Sequence, residues 1–370
     1  MESVHDYIWQ HPHWPDWTYS LEELALLLNQ VHHRQGLLLG RMHDLGMDVQ
    51  QQAQLRALTE DVLKTSAIEG EQLNTQSVRS SLARRLGVEI GALAPIDRHV
   101  EGVVEMVLDA TAHFNQPLTE SRLFGWHAAL FPTGYSGMSK IQVAQYRDDR
   151  LGAMQVISGR IGHEKVHYQA PSAERLPDEM RLFLNWINEE NETDLFIKAG
   201  IAHLWFLTLH PFDDGNGRIA RAIADWLLAK ADHSAQRFYS LSAQVQHKRS
   251  EYYDMLEQVQ KGRLNTTSWL AWFLTTLAEA MQAAYMQLDD VLQKTRFWRR
   301  WSDIPLNERQ IKVLNRLLDG FEGKLNNRKW VAIAKCSRDT ALRDMNDLME
   351  KGILRRSGES GRSVGYELEK

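Results

Sequence analysis

Cysteine is almost missing from this 370-residue chain: Cys336 stands alone, which excludes an intramolecular disulfide and suits a reducing compartment. Nine prolines and 23 glycines are too few for a collagen-like or linker-type protein. No low-complexity segment stands out. No apolar run approaches the roughly 20 residues of a membrane-spanning helix, and the start, MESVHDYIWQ, has no basic segment followed by an apolar one. The expectation is a cytoplasmic protein without a membrane partner. What is present, 43% hydrophobic and 25% charged residues, suits a globular chain long enough for two or three domains. Net charge is -5, unevenly spread: residues 296–370 hold 17 Lys/Arg against 11 Asp/Glu, net +6, leaving -11 for the rest. That asymmetry suits either an anion-binding module or a solvated basic surface.

The opening YIWQHPHWPDWTYS places Trp9, Trp14 and Trp17 around two prolines and reads as an extended aromatic arm. From Ser20 the pattern is helical, with Leu21, Leu24, Leu28 and Val31, then Leu55, Leu58, Val62 and Leu63. Gly70, after TSAIE, marks a helix end. Further helices are expected over residues 98–114 and 119–131, the second ending in a loop at FPTGYSG. MQVISGRIGHEKVHYQAP reads as two strands around a turn, the one clear hairpin of the body. Helices resume over 173–188, 194–209, 218–230, 250–260 and 267–292, and a linker is expected near 294–305. The tail reads as three helices, the third with Ser337 as N-cap, followed by strand, Gly-rich turn and strand. That order resembles a winged helix-turn-helix domain.

The densest chemistry is HPFDDGNGRIAR, residues 210–221. A helix through Trp205 and Leu209 delivers His210 to its C-terminal end, so the imidazole is expected to be presented rather than buried. Gly215, Asn216 and Gly217 open the next helix, whose free N–H groups make an anion nest. Arg218 and Arg221, three apart, share a face and can clamp phosphate oxygens. Asp214 would repel an anion unless a divalent cation bridges them, the usual way Mg²⁺ is held.

The conjunction His-x-x-x-Asp-Gly-Asn-Gly-Arg-x-x-Arg resembles the signature of the Fic (filamentation induced by cAMP) family. That resemblance implies a mainly α fold: a Fic-type helical core with one short β-hairpin flap, plus the C-terminal winged helix. The implied domains are residues 1–90, a Trp-rich helical domain with an inhibitory helix; 91–293, the core; and 294–370. The implied activity is transfer of AMP from ATP to a Ser, Thr or Tyr hydroxyl of a protein. His210 would be the base, Asp214 the Mg²⁺ ligand, and Gly215, Asn216, Gly217 and Arg218, with Ile219 and Ala220 of the same segment, the ATP cradle. Arg221 would hold the γ-phosphate, and Phe212 would anchor the loop in the core. The hairpin at 156–168 stands where the family has its flap, on which target segments dock by strand addition, with Ile157, Ser158, Gly159 and Arg160 at its exposed end. Tyr252 and Tyr253 stand where relatives contact adenosine, with ordinary helix packing as the other reading. Gln260 replaces an asparagine that some relatives carry. A homodimer is a further implication of the family.

TSAIEG, residues 65–70, resembles the family's inhibitory motif, Ser/Thr-x-x-x-Glu-Gly/Asn. The expected physics is a bidentate pair between Glu69 and Arg221 that leaves a carboxylate where the γ-phosphate belongs. In some relatives the same glutamate supports removal of AMP, and the sequence does not separate the two directions. HEKVH, residues 163–167, satisfies a zinc-protease pattern that works only on a helix, whereas its surroundings favour a strand. GNGR lacks the Lys-Ser/Thr pair of a P-loop. In the tail, Arg338, Thr340 and Arg343 face forward on the third helix, and Arg355, Arg356 and Arg362 flank the wing, a disposition suited to DNA phosphates. Asp339, Asp344, Asp347 and Glu350 oppose it, and protein docking or dimerisation is the alternative.

Overall fold

The computed structural model describes residues 6–369 except 44, 91–93, 151, 161, 162, 164, 319–324 and 358–364, and omits the side chains of 290, 291 and 293–295. Two compact units emerge, Met1–Ala284 and Tyr285–Lys370. The chain is mainly helical, with short two-stranded antiparallel sheets.

The first unit is built around α7 (Leu195–Leu209), every residue of which from Phe196 to Leu209 is buried. A helix apolar on nearly every face must be enclosed, and α8 (Asn216–Ala231) packs along it with Ile219, Ile223, Trp226 and Leu227 inside. In chain order, α1 (Leu21–His43), α2 (Met47–Ile68), α3 (Thr75–Leu86), α4 (Arg98–Ala112) and α5 (Glu120–Leu130) come before them, α6 (Leu176–Asn188) precedes α7, and α9 (Leu241–His247), α10 (Arg249–Gln260) and α11 (Thr267–Arg300) follow. The strands of this unit are β1 (Tyr135–Ser136), β2 (Ser139–Lys140), β3 (Gln155–Ser158) and β4 (Lys165–Gln169). The aromatic arm is not extended as expected: a 3-10 turn at Ile8–Gln10 is followed by tight turns in which Trp14 N donates to His11 O at 2.9 Å and Asp16 N to His13 O at 2.7 Å. Trp14 and Trp17 set their edges against Trp205 of α7, with centroids 6.1 and 5.8 Å away, and the Trp14 indole donates to Glu179 Oε2 at 2.8 Å.

Three features depart from the sequence expectations. FPTGYSG does not end in a plain loop: β1 and β2 form a second, minimal hairpin around Gly137, whose φ of 56° suits the turn. α3 and α9 had no clear apolar period; α3 buries Ser80 and Ser81 beside Val78 and Leu82, and small hydroxyl residues do not announce a core face. The expected linker at 294–305 is largely helical, because α11 continues to Arg300 and only then gives way to a turn. Arg, Lys and Gln are good helix formers, so polarity alone did not mark an end.

In the second unit α12 (Glu308–Leu318), α13 (Asn327–Ala334) and α14 (Arg338–Glu350) enclose Val313, Leu314, Trp330, Ala341, Met345 and Leu348, which pack with Ile353 beside the antiparallel pair β5 (Leu354–Ser357) and β6 (Gly365–Leu368). The Ser337 hydroxyl accepts the Thr340 N–H at 3.2 Å and caps α14. Asp344 takes two hydrogen bonds from Arg309, at 2.8 and 3.0 Å, and Asp347 accepts from Gln310 and Lys351, so both acids are engaged within the unit. The Gly-rich turn with Arg362 lies outside the described residues.

Candidate active site

The loop between α7 and α8 is shaped by its own side chains. Asn216 folds back so that its Oδ1 accepts from Phe212 N at 3.0 Å and its Nδ2 donates to Phe212 O at 2.8 Å. Phe212 is fully buried and stacks on His127 with centroids 4.3 Å apart. Gly215 caps α8 at φ 82°, and a Cβ there would meet the Phe131 ring at 2.9 Å. Left-handed backbone and close packing both demand glycine. Asp214 Oδ1 accepts the Gly215 N–H at 2.5 Å, and its Oδ2 accepts from the Ser136 hydroxyl on β1. Ile219 and Ala220 are buried against the core, so of these two only the backbone can face a ligand.

His210 ends α7 with φ 49°, a left-handed conformation that costs a non-glycine residue roughly 1–2 kcal/mol. Arg147 holds it there. The Arg147 backbone N–H donates to Pro211 O at 2.9 Å and its Nε to His210 O at 2.8 Å. The imidazole is half-buried rather than openly presented, which corrects the sequence expectation: the helix end turns it back toward its own last turn. Leu207 O can only accept, so Nδ1 at 3.3 Å carries the proton and Nε2 keeps a free lone pair. Desolvation pulls the imidazole down to about 4, opposed by that hydrogen bond, so it is neutral at pH 7.

The first turn of α8 faces the end of α2. α2 closes in a Schellman turn: Gly70, at φ 87°, donates to Ala67 O at 3.0 Å, and Glu71 N donates to Ser66 O at 3.0 Å. The turn turns Glu69 and Glu71 toward the two arginines. Arg221 Nη2 donates to Glu69 Oε1 at 2.7 Å, while its Nε and Nη2 also bind Thr65 Oγ1 at 2.7 Å and Thr65 O at 2.9 Å. The expected bidentate pair is therefore a single contact to the carboxylate: Thr65 takes Nε and shares Nη2, and Nη1 has no hydrogen-bond partner among the described residues. A Cβ on Gly217 would lie 2.1 Å from Glu69 Oε1, so the carboxylate rests directly on the start of α8. Arg218 Nη1 donates to Glu71 Oε2 at 2.9 Å, a pair the sequence reading missed although Glu71 stands two residues from Glu69.

Tyr252 and Tyr253 border the same cluster. Tyr252 is buried with its hydroxyl 2.8 Å from His203 Nε2, and Tyr253 reaches Ile68 O at 3.3 Å. Gln260 is placed apart, bonding Thr208 Oγ1 at 3.4 Å. The hairpin pairs β3 with β4 across a register shift between Val156 and Ile157, and Ile157, Ser158, Gly159 and Arg160 are exposed. Its root is tied to α7, since the Tyr168 hydroxyl donates to Thr208 O at 2.6 Å. Within HEKVH, Lys165, Val166 and His167 belong to β4, Glu164 lies outside the described residues, and His167 sits between Ser158 Oγ and Glu257 Oε2, each 2.5 Å away.

Comparison with known proteins agrees with this layout. The model of a domain of unknown function, DUF4172, matches residues 7–88, and the Fic/DOC family model matches residues 117–228. A uridine 5'-monophosphate transferase of Xanthomonas campestris is 31% identical over 122 residues, covering 31% of this chain and 21% of that protein. The protein adenylyltransferase fic-1 of Caenorhabditis elegans is 31% identical over 81 residues, covering 20% and 16%. The chain thus spans about a fifth of the length of these relatives. Among solved structures, a Fic family protein from Desulfovibrio desulfuricans superposes over 96% of this chain and 98% of its own, with a TM-score of 0.54 at 19% identity. The stretch that resembles the Fic/DOC family model, residues 117–228, carries the loop, the flap and most of α8.

Proposed function

We propose that the protein transfers AMP from ATP to a hydroxyl of a protein substrate, and that Glu69 holds the reaction off. One observation carries the reading: the place where a helix start and a buried arginine would grip an anion is filled by a carboxylate of the same chain. The neutral His210 is the base that takes the proton of the incoming alcohol through Nε2. Arg218, Arg221 and the free N–H groups of Gly217 and its neighbours bind the phosphates and orient the α-phosphate for in-line attack. Mg²⁺ would be held by Asp214, a single carboxylate beside the helix start, together with substrate phosphates. When bound, Mg²⁺ supplies charge neutralisation for the pyrophosphate that leaves.

In this reading the exposed edge at 156–168 docks the target strand. The name of the Xanthomonas relative makes UTP the donor to test beside ATP. The test is Glu69→Gly protein with ATP or UTP and Mg²⁺, read by mass spectrometry. An AMP adduct is expected, lost in the Glu69→Gly, His210→Ala double variant. A UMP adduct alone would change the donor, and no adduct from either would reject the transfer. In the second unit, with Asp344 buried against Arg309 and Asp347 paired to Lys351, Arg338 and Arg343 remain exposed on α14; this favours a winged helix that binds DNA, for which a salt-dependent mobility shift is the check.

A further inference from the structure

We infer that Arg147 is the positioning residue for His210, and that it makes the catalytic turn and the flap root one mechanical unit. The inference rests on the reading of His210 as the base. The Arg147 side chain is fully buried and joins three segments: Nε binds His210 O at 2.8 Å, Nη2 binds Pro171 O at 2.6 Å, just past β4, and Nη1 binds Asp149 Oδ1 at 2.9 Å. The other oxygen of Asp149 accepts Ala173 N at 2.6 Å. A planar fork is needed to reach three acceptors at once, and a lysine offers only a point charge. The left-handed His210 has Arg147 on its carbonyl and on that of Pro211, so losing the fork lets the imidazole drift without touching the phosphate residues of α8. Three charged groups face the imidazole: Arg147 disfavours its protonation, while Glu69 at the end of α2 and Asp214 in the loop favour it.

The test uses the Glu69→Gly background. Arg147→Lys should lower kcat on the order of 100-fold, leave KM for ATP within about twofold and leave the acid limb of the pH profile in place. Arg147→Met should lose kcat similarly and shift that limb to higher pH, because a cation beside the imidazole is gone. Full kcat in Arg147→Lys, or a loss confined to KM, overturns the assignment. If both variants fail to fold, Asp149→Asn decides: a smaller fall in kcat at constant KM supports the assignment, and unchanged kcat rejects it. Absence of transfer in Glu69→Gly itself would instead reject the reading of the site.

A different observation carries a second inference: Glu71 is a second, shallower lock on the phosphate site, acting on Arg218 as Glu69 acts on Arg221. The depths differ. Arg221 is 1% exposed against 31% for Glu69, and Arg218 is 8% exposed against 38% for Glu71. The pair at Arg218 is therefore the more open to salt. Equilibrium binding of ATP separates the locks. Glu71→Gln should tighten ATP about two- to fivefold at low salt, an advantage that fades at high ionic strength, and should do so again in the Glu69→Gly background. Equal affinity of Glu69→Gly and the double variant overturns the second lock. ATP binding to none of the variants would instead remove the phosphate site itself.

Discussion

Near its start α8 holds Arg221 against Glu69, a carboxylate at the end of α2 that is partly open to water. At its far end Asp225 and the C-cap Asp232 hold Arg237 in a closed network. Arg237 reaches Asp225 at 2.9 Å and Asp232 at 3.1 Å, Tyr239 bridges to Asp232 at 2.9 Å, Gln35 adds 2.8 Å to Asp232, and Asp61 is held by the Ser240 hydroxyl at 2.6 Å. Both arginines are buried. The difference is that one counter-charge stands on a turn and is 31% exposed, whereas Asp232 is held by Arg237, Tyr239 and Gln35. Burial of charge is thus spent on function at one end of the helix and on rigidity at the other.

The comparison breaks hardest at the closed end. Arg237→Met removes the one cation that the buried acids Asp225 and Asp232 share and should cost about 3–5 kcal/mol, a fall in Tm of about 10 °C. Glu69→Gly should cost only about 1 kcal/mol, since Arg221 keeps both bonds to Thr65 and gains water. ATP should then raise its Tm more than that of the parent protein. Thermal melts of both variants check the contrast, and equal losses would erase the distinction between the two ends.

Gly70→Ala sharpens it. Nothing crowds a Cβ there, but φ is 87°, so the methyl costs about 1 kcal/mol through the backbone alone. Relief of that strain unwinds the Schellman turn and misaims Glu69 and Glu71 together. The expected result is a small loss of Tm with a gain in AMP transfer. A loss of Tm with unchanged transfer would mean that the turn does not aim the carboxylates.

Much of the site was legible because its residues are consecutive. The loop from His210 to Arg221 and the motif from Thr65 to Gly70 each compress their chemistry into a few positions, and the helix expected over 194–209 matches α7. Arg147 could not be read: apart from nearby Asp149 its partners are carbonyls of residues 171, 210 and 211, and backbone acceptors leave no mark in a sequence. Glu71 was hidden for another reason. Its reach to Arg218 depends on the turn at Gly70, which sets direction in space rather than spacing along the chain. Likewise α3 hid behind buried serines, and α9 is only 7 residues long.

The smallest effect concerns protons at the closed end. Burial, then the neighbouring Asp61 carboxyl, pushes Asp225 well above its ordinary 3.8. The folded chain therefore keeps a proton that the unfolded chain releases, and this stabilisation is present below 3.8 and lost as pH rises toward the folded value. His127, His203 and His210 pull the other way. Burial lowers them to about 4, 3 and 4, so each adds stability above 6.5 that is lost as the pH falls. The raw melting curve against pH mixes the two slopes. Asp225→Asn removes the Asp225 share of the first slope and keeps the histidines, so the variant should gain on the parent as pH climbs above 3.8, by denaturant midpoint at each pH. A difference that stays flat with pH would mean that Asp225 is already ionised in the folded chain, with Arg237 and not a shared proton holding that end of α8 together.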